Sequence, residues 1–218
     1  MLSKEEILEV KQEYIDLLKQ IKRPDCDIDG FIDYLESTDF FSAPASTQYH
    51  CSFPGGLCLH SINVYKALKS LTDKFASKID NKTKEVSPIY SNDSILIVGL
   101  LHDLDKIMKY ERTTRNEKVY CEDGDKQDSL GVFKWNSVES YKLKDPTNRA
   151  NLGNKGFAAY MIASMFFSMS EEEVYALMYQ YSATNQEQLT DLSTILARYN
   201  LCVFLHSADI IATYCVEK

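Results

Sequence analysis

The chain contains no run of five like charges, no cysteine pair in CxxC spacing, and no apolar stretch near the ~18 residues a membrane span needs. Histidine is scarce at four residues and tryptophan occurs once. These shortages exclude a good deal. Broad nucleic-acid binding needs clustered Lys and Arg to neutralise phosphates, whereas 24 basic residues stand here against 32 acidic ones, for a net charge of −8. A long nucleic acid is therefore not an expected partner, and no membrane is expected. The opening segment, MLSKEEILEVKQEYIDLLKQ, reads as a charged amphipathic helix and not an export signal. The six scattered cysteines then read as reduced thiols in a cytoplasm. Cys51 and Cys58 lie between His50 and His60, so a zinc site there is an alternative, although the spacing fits no common structural pattern.

What is present points to one helical domain over residues 1–218. Ser3 with Glu6 has the form of a capping box opening a helix to Lys22. A shorter helix is predicted over Ile28–Glu36, then an ordered loop over 39–56 with two prolines and a Gly pair. Helical periodicity returns over Leu57–Ile79. The segment SILIVGLLHDLDKIM, from Ser94 to Met108, is apolar on nearly every side and reads as a central buried helix. Residues 109–148 break the pattern and suggest an insertion of weak β character, a hairpin with Arg115-Asn116 at its middle. Helices are predicted again over 154–168, 170–182 and 189–216. Residues 1–37 thus supply N-terminal helices, 38–108 the first ligand-bearing helices, and 149–218 the C-terminal ones.

Three of the four histidines fall in apolar helical segments. His60 shares a face with Val64, Ala67 and Leu71, so it points inward. His102 and Asp103 lie in the most apolar helix, where an unpaired aspartate is costly. Asp209 sits in FLHSADIIATY, again among apolar residues. Buried carboxylates need a cation or several donors. Two imidazoles and two carboxylates supply an N₂O₂ set suited to a divalent transition metal or Mg²⁺. On a helical wheel Lys106 falls about 40° from His102 and about 60° from Asp103, inside this face, while Asp105 lies about 110° from its midpoint. His206 precedes Asp209 by three positions and shares its face.

The order His60…His102-Asp103…Asp209 resembles the HD superfamily of metal-dependent phosphohydrolases, most closely its small bacterial and phage members. DFFSAPASTQYHCSFPGGLCLHSINVY, ILIVGLLHDLDKI and LCVFLHSADIIATY carry the resemblance, over about residues 38–216. It implies an all-α helical bundle with a small insertion. It also implies one divalent ion (manganese, cobalt, nickel, iron, zinc or magnesium) on His60, His102, Asp103 and Asp209, and hydrolysis of a nucleotide or related small phosphate ester in a bacterial or phage-infected cytoplasm. Asp103 and Lys106 are the expected catalytic residues. Lys106, His206, Arg112 and Arg115 are the expected phosphate-binding ones, joined by Lys155 where the insertion folds over the site. The group's middle block, Gly-His-Gly-Glu-Lys-Ser, is replaced here by Gly153-Asn154-Lys155-Gly156-Phe157-Ala158, and its Arg-Trp-His-Met by Met178-Tyr179-Gln180-Tyr181. A second ion would find only neutral amides there, so a mononuclear site is expected. The same losses leave open a binding protein that holds a nucleotide or signalling molecule without turnover. Self-association is left open.

Overall fold

Ser3 caps the first helix through its hydroxyl, and Glu6 returns the bond to the Ser3 backbone, closing the capping box. The computed structural model describes residues 2–80, 82–83, 85–149, 155–180 and 186–217, with side chains at 186–190 left out. Helix α1 spans Lys4–Leu18 and α2 Ile28–Glu36. The loop that follows leads into α3, Gly56–Phe75, through Gly55, whose φ of +81° is the left-handed conformation that glycine adopts without steric penalty. The central helix α4, Asn92–Leu101, is buried at every position from Ile95 to Leu101. One face packs with Tyr14, Phe31, Phe40 and Leu57, the other with Val64, Leu68, Leu201 and Leu205. At ~1.5–3 kcal/mol for each fully buried large apolar side chain, this helix contributes to both clusters of the core. Later helices are α5, Lys155–Ala163; α6, Glu171–Met178; α7, Gln186–Arg198; and α8, Asn200–Ile211, which packs on α3.

The all-α expectation is corrected. Among the described residues eight α-helices are joined by two antiparallel sheets, so the fold is mixed α/β. Strands β1, Ser77–Ile79, and β2, Val86–Pro88, pair where the tail of a helix and a plain connection were predicted. The larger sheet has order β3-β5-β4, from β3, Tyr110–Tyr120; β4, Lys126–Asp128; and β5, Gly131–Leu143. Its register runs from Tyr110↔Leu143 to Tyr120↔Phe133, so Arg115 and Asn116 sit mid-strand opposite Val138 and Ser137 and not at the turn. Thr113, Val119, Phe133, Trp135 and Tyr141 are the β-branched and aromatic types that suit a pleated surface.

Two predicted helices break early, each for a visible reason. The carbonyl of His102, which would accept from the Lys106 amide in a continuing helix, is taken by the Gln180 side-chain amide. Lys106 N–H bonds Asp103 O instead at 3.0 Å, and Leu104–Lys106 becomes a 3₁₀ turn. The long C-terminal helix divides at Tyr199. Its ring stacks on Tyr175 at 4.8 Å, and Glu172 accepts the Leu201 N–H at 3.1 Å, starting α8 afresh. A π-helical turn, Ala212–Val216, ends the chain's helical course. No single helix among the described residues is long and apolar enough to cross a membrane.

Candidate metal centre

Helix α3 carries His60, the turn just past α4 carries His102 and Asp103, and α8 carries Asp209. Their packing gathers the other three side chains around His60 Nε2. His60 Nε2 lies 3.4 Å from His102 Nε2, 3.3 Å from Asp103 Oδ2 and 3.2 Å from Asp209 Oδ1. His102 Nε2 lies 3.4 Å from Asp103 Oδ2. The side chains of His60, His102 and Asp103 are no more than 2% exposed, and Asp209, at 25%, faces outward. His60 Nε2 thus lies within 3.4 Å of an atom of each of the other three residues expected as ligands.

The outer nitrogens of both imidazoles are engaged. His102 Nδ1 lies 2.9 Å from Gly99 O, a carbonyl that only accepts, so Nδ1 carries the proton. His60 Nδ1 lies 3.0 Å from both oxygens of Glu217, which also accepts from Asn63 Nδ2 at 2.9 Å. Both Nε2 atoms are thereby turned inward, the usual arrangement when an acceptor behind a histidine fixes its ligating nitrogen.

Four electron-rich atoms this close require positive charge between them. A proton can supply it: burial pushes the His60 pKa down, but bonds to Asp103, Asp209 and Glu217 outweigh that and raise it to about 10. A metal fits equally well. Ligand atoms about 2.0–2.2 Å from a tetrahedral ion are roughly 3.3–3.6 Å apart, close to the spacings found here. His60, His102 and Asp209 form one group able to hold an ion, and Asp103 adjoins it. Binding would displace the His60 proton. Burial opposes the charge on both aspartates, yet Lys106, His102 and His60 hold Asp103, and His60 and His102 hold Asp209, below the usual carboxylate range.

Lys106 reaches the same centre although the helix it was placed on has ended. Its Nζ lies 2.6 Å from Asp103 Oδ2. Burial works against its charge, but Asp103 outweighs this and keeps it an ammonium. Asp105 faces away and pairs with Lys109 Nζ at 2.6 Å. A cleft of about 590 Å³ opens over the centre, lined by Tyr49, His50, Lys106, Tyr110, Asp209 and Glu217 among others. Lys155 also lines it.

Other expected residues lie elsewhere. Arg112 and Arg115 stand on β3 outside the cleft lining, Arg115 paired with Glu117. His206 turns its Nδ1 to Gln180 O at 2.8 Å and is likewise outside the lining. Cys58 points toward α1, its Sγ 3.8 Å from Val10 O, which takes it out of the Cys/His zinc alternative, whereas Cys51 stays beside Glu217. Asn154 and Tyr181 lie outside the described residues. Gln180 is described and braces the His102 backbone.

Glu217 escapes the sequence reading, and His50 enters it only through the zinc alternative. Glu217 follows Asp209 and Thr213 at intervals of four, a polar stripe that was legible on the wheel. His50, its ring 4.6 Å from that of His60, has a buried Nε2 with no hydrogen-bond partner among the described residues. Burial, then the charges of His60 and Lys106, lower its pKa to about 4. Comparison with protein-family models, curated proteins and solved structures returned no match.

Proposed function

We propose that this chain is an HD-type, mononuclear, metal-dependent phosphohydrolase acting on a nucleotide or related small phosphate ester. The convergence of two inward-turned Nε2 atoms with Asp103 Oδ2 and Asp209 Oδ1 carries the reading. His60, His102, Asp103 and Asp209 would hold the ion. A bound divalent ion supplies Lewis acidity and a water made nucleophilic near neutral pH.

The chain's own residues do the rest. Lys106, an ammonium at the cleft floor, offsets charge gathering on the phosphoryl oxygens as the P–O bond breaks. Asp103 holds Lys106 in place through its Oδ2. Asp209 forms the half-open wall through which a phosphate enters. His50, its pKa pushed down to about 4, stands as an uncharged imidazole at the same wall.

The test is elemental analysis of the purified protein, followed by phosphate release from a nucleotide and phosphoester panel with Mn²⁺, Co²⁺, Ni²⁺ and Mg²⁺. About one metal per chain, and loss of both metal and hydrolysis in Asp103→Ala, is expected. Full activity in Asp103→Ala overturns the mechanism, and a ratio near two overturns the single ion. A second reading, binding without turnover, is favoured by Gln180, whose side chain serves the backbone of His102 and not the cleft. Retained metal with no hydrolysis across the panel would select it.

A further inference from the structure

The strongest interaction at the centre that the proposed hydrolysis does not use is the contact between His60 and the carboxylate of Glu217. Glu217 lies just past the π-helical turn at Ala212–Val216, eight residues beyond Asp209. Its amide completes that turn, bonding Ala212 O at 3.1 Å. The wider turn carries the chain back over α3, where the carboxylate side chain is only 2% exposed. Both oxygens lie 3.0 Å from His60 Nδ1, and Asn63, three residues along α3, donates to Oε1 at 2.9 Å. A carboxylate buried to this degree is costly unless it is bonded; the Cys51 thiol also reaches it, but its bonds to His60 and Asn63 go to the face of α3 that presents His60.

We propose that Glu217 is a positioning residue of the metal centre. It accepts the Nδ1–H of His60, holds the ring with Nε2 toward His102, Asp103 and Asp209, and raises the donor strength of that nitrogen. This rests on the metal reading above. Asn63 fixes Glu217 in turn, so the ligand α3 supplies is set by a three-residue chain, Asn63–Glu217–His60. The C-terminal turn is then part of the site and not merely the end of α8. The orienting partners of the two histidines differ: Gly99 O behind His102 is neutral, whereas Glu217 behind His60 is charged. His60 is accordingly the ligand whose strength a single substitution can tune. The same carboxylate, with His50 and His60, forms a second group that could hold an ion. The two uses compete, because a neutral imidazole with its proton on Nδ1 has no lone pair there for a second metal.

The experiment compares the intact chain with Glu217→Ala, Glu217→Gln and Asn63→Ala. Proton NMR of the metal-free protein should show a downfield, exchange-protected His60 Nδ1–H that Glu217→Ala loses. Calorimetric titration with Co²⁺ and Zn²⁺ should show affinity about 10–100-fold weaker in Glu217→Ala. Glu217→Gln, which keeps an acceptor oxygen beside Asn63 without the charge, should fall between, and the visible spectrum of bound Co²⁺ should shift across the series. Wild-type affinity and an unchanged Co²⁺ spectrum in Glu217→Ala overturn the positioning role alone. A wild-type chain that binds neither ion overturns the metal reading and this role with it, although the Nδ1–H signal would persist. Two ions per wild-type chain falling to one in Glu217→Ala also overturn it, and identify Glu217 as a ligand instead. Circular dichroism separates a folding defect from a lost contact, and Glu217→Gln, close in shape, keeps the comparison open if the alanine variant misfolds.

Discussion

Lys106 and a cation would compete for the same oxygen. Nζ sits 2.6 Å from Asp103 Oδ2, and a divalent ion at the centre would add two charges within a few ångströms of the ammonium. A pair of unit charges ~4 Å apart at an effective dielectric near 20 interacts by about 4 kcal/mol. Lys106→Met, which keeps the stem and drops the charge, should therefore bind Co²⁺ roughly tenfold more tightly or better. It should also lose about 10²–10³ in kcat, the usual loss when one charge-stabilising donor is removed. Calorimetry and phosphate release measure the two effects separately, and weaker Co²⁺ binding would show that Lys106 holds Asp103 in place more than it repels the ion. At this scale the sequence pointed to the candidate ligands, because each is a polar residue in an apolar run. Lys106 was reached on an arc that does not exist, the helix having ended at Leu101. Its place survives because a 3₁₀ turn returns residue i+3 over residue i, which sets Lys106 above Asp103. Arg112 and Arg115 were misplaced for a different reason: strand pairing fixes where they point, and one strand does not reveal its partner.

At the scale of elements, the centre depends on how closely α3 and α4 approach. Gly99 allows that approach, since a Cβ there would stand 2.8 Å from Tyr65 Cα and 3.1 Å from its Cβ. Backbone cannot yield as a flexible side-chain end can, so Gly99→Ala must part the two helices. They carry His60 five residues before Tyr65 and His102 three residues after Gly99. Overpacking of this kind costs about 1–3 kcal/mol. Gly99→Ala should lower the melting temperature and also weaken Co²⁺ binding by widening the gap between the two Nε2 atoms. Leu35→Ala, a cavity in α2 away from the centre, should cost about 2–5 kcal/mol and leave Co²⁺ affinity unchanged. Equal metal affinity in the two variants would refute the spacing argument. Periodicity located α2, α3 and α4 well, since each buries a broad apolar face. It overran where a distant side chain intervened: Gln180 takes the carbonyl that would have continued α4, and Glu172 restarts the chain at α8. Neither contact is local, so neither leaves a periodic trace.

For the molecule as a whole, the sequence indicated a helical body with an inserted hairpin but underweighted the β structure. Two short strands, β1 and β2, have too few residues to show alternation. The larger sheet is mostly exposed, so its inner and outer faces differ little in polarity. Beside the shared core and the Asp27–Phe166 backbone bond, one tie between the N-terminal helices and the C-terminal half is a contact that no local pattern marks. Arg23, readable in sequence only as part of a helix-ending Arg-Pro, donates to both oxygens of Glu173 at 2.7 and 2.6 Å and to Ser168 O at 2.7 Å. Glu173 is 1% exposed, and burial pushes its pKa up. The bonds from Arg23, Ser94 and the Ser170 backbone outweigh this and hold it below its ordinary value. The sign follows from that direction. A carboxylate depressed in the folded state contributes its full stability above the unfolded pKa, about 4.3, and loses it as pH falls through the folded value. Breaking a fully buried pair costs about 3–5 kcal/mol, but Arg23 keeps 22% exposure and can recover water. Glu173→Gln should therefore lose about 2–3 kcal/mol at pH 7, measured by urea unfolding. Its deficit relative to the wild type should shrink as the pH is lowered from 5 to 3, because the wild type loses there what the variant never had. A deficit constant across that range would mean that the pair acts through shape alone and that its charge contributes nothing to joining the two halves.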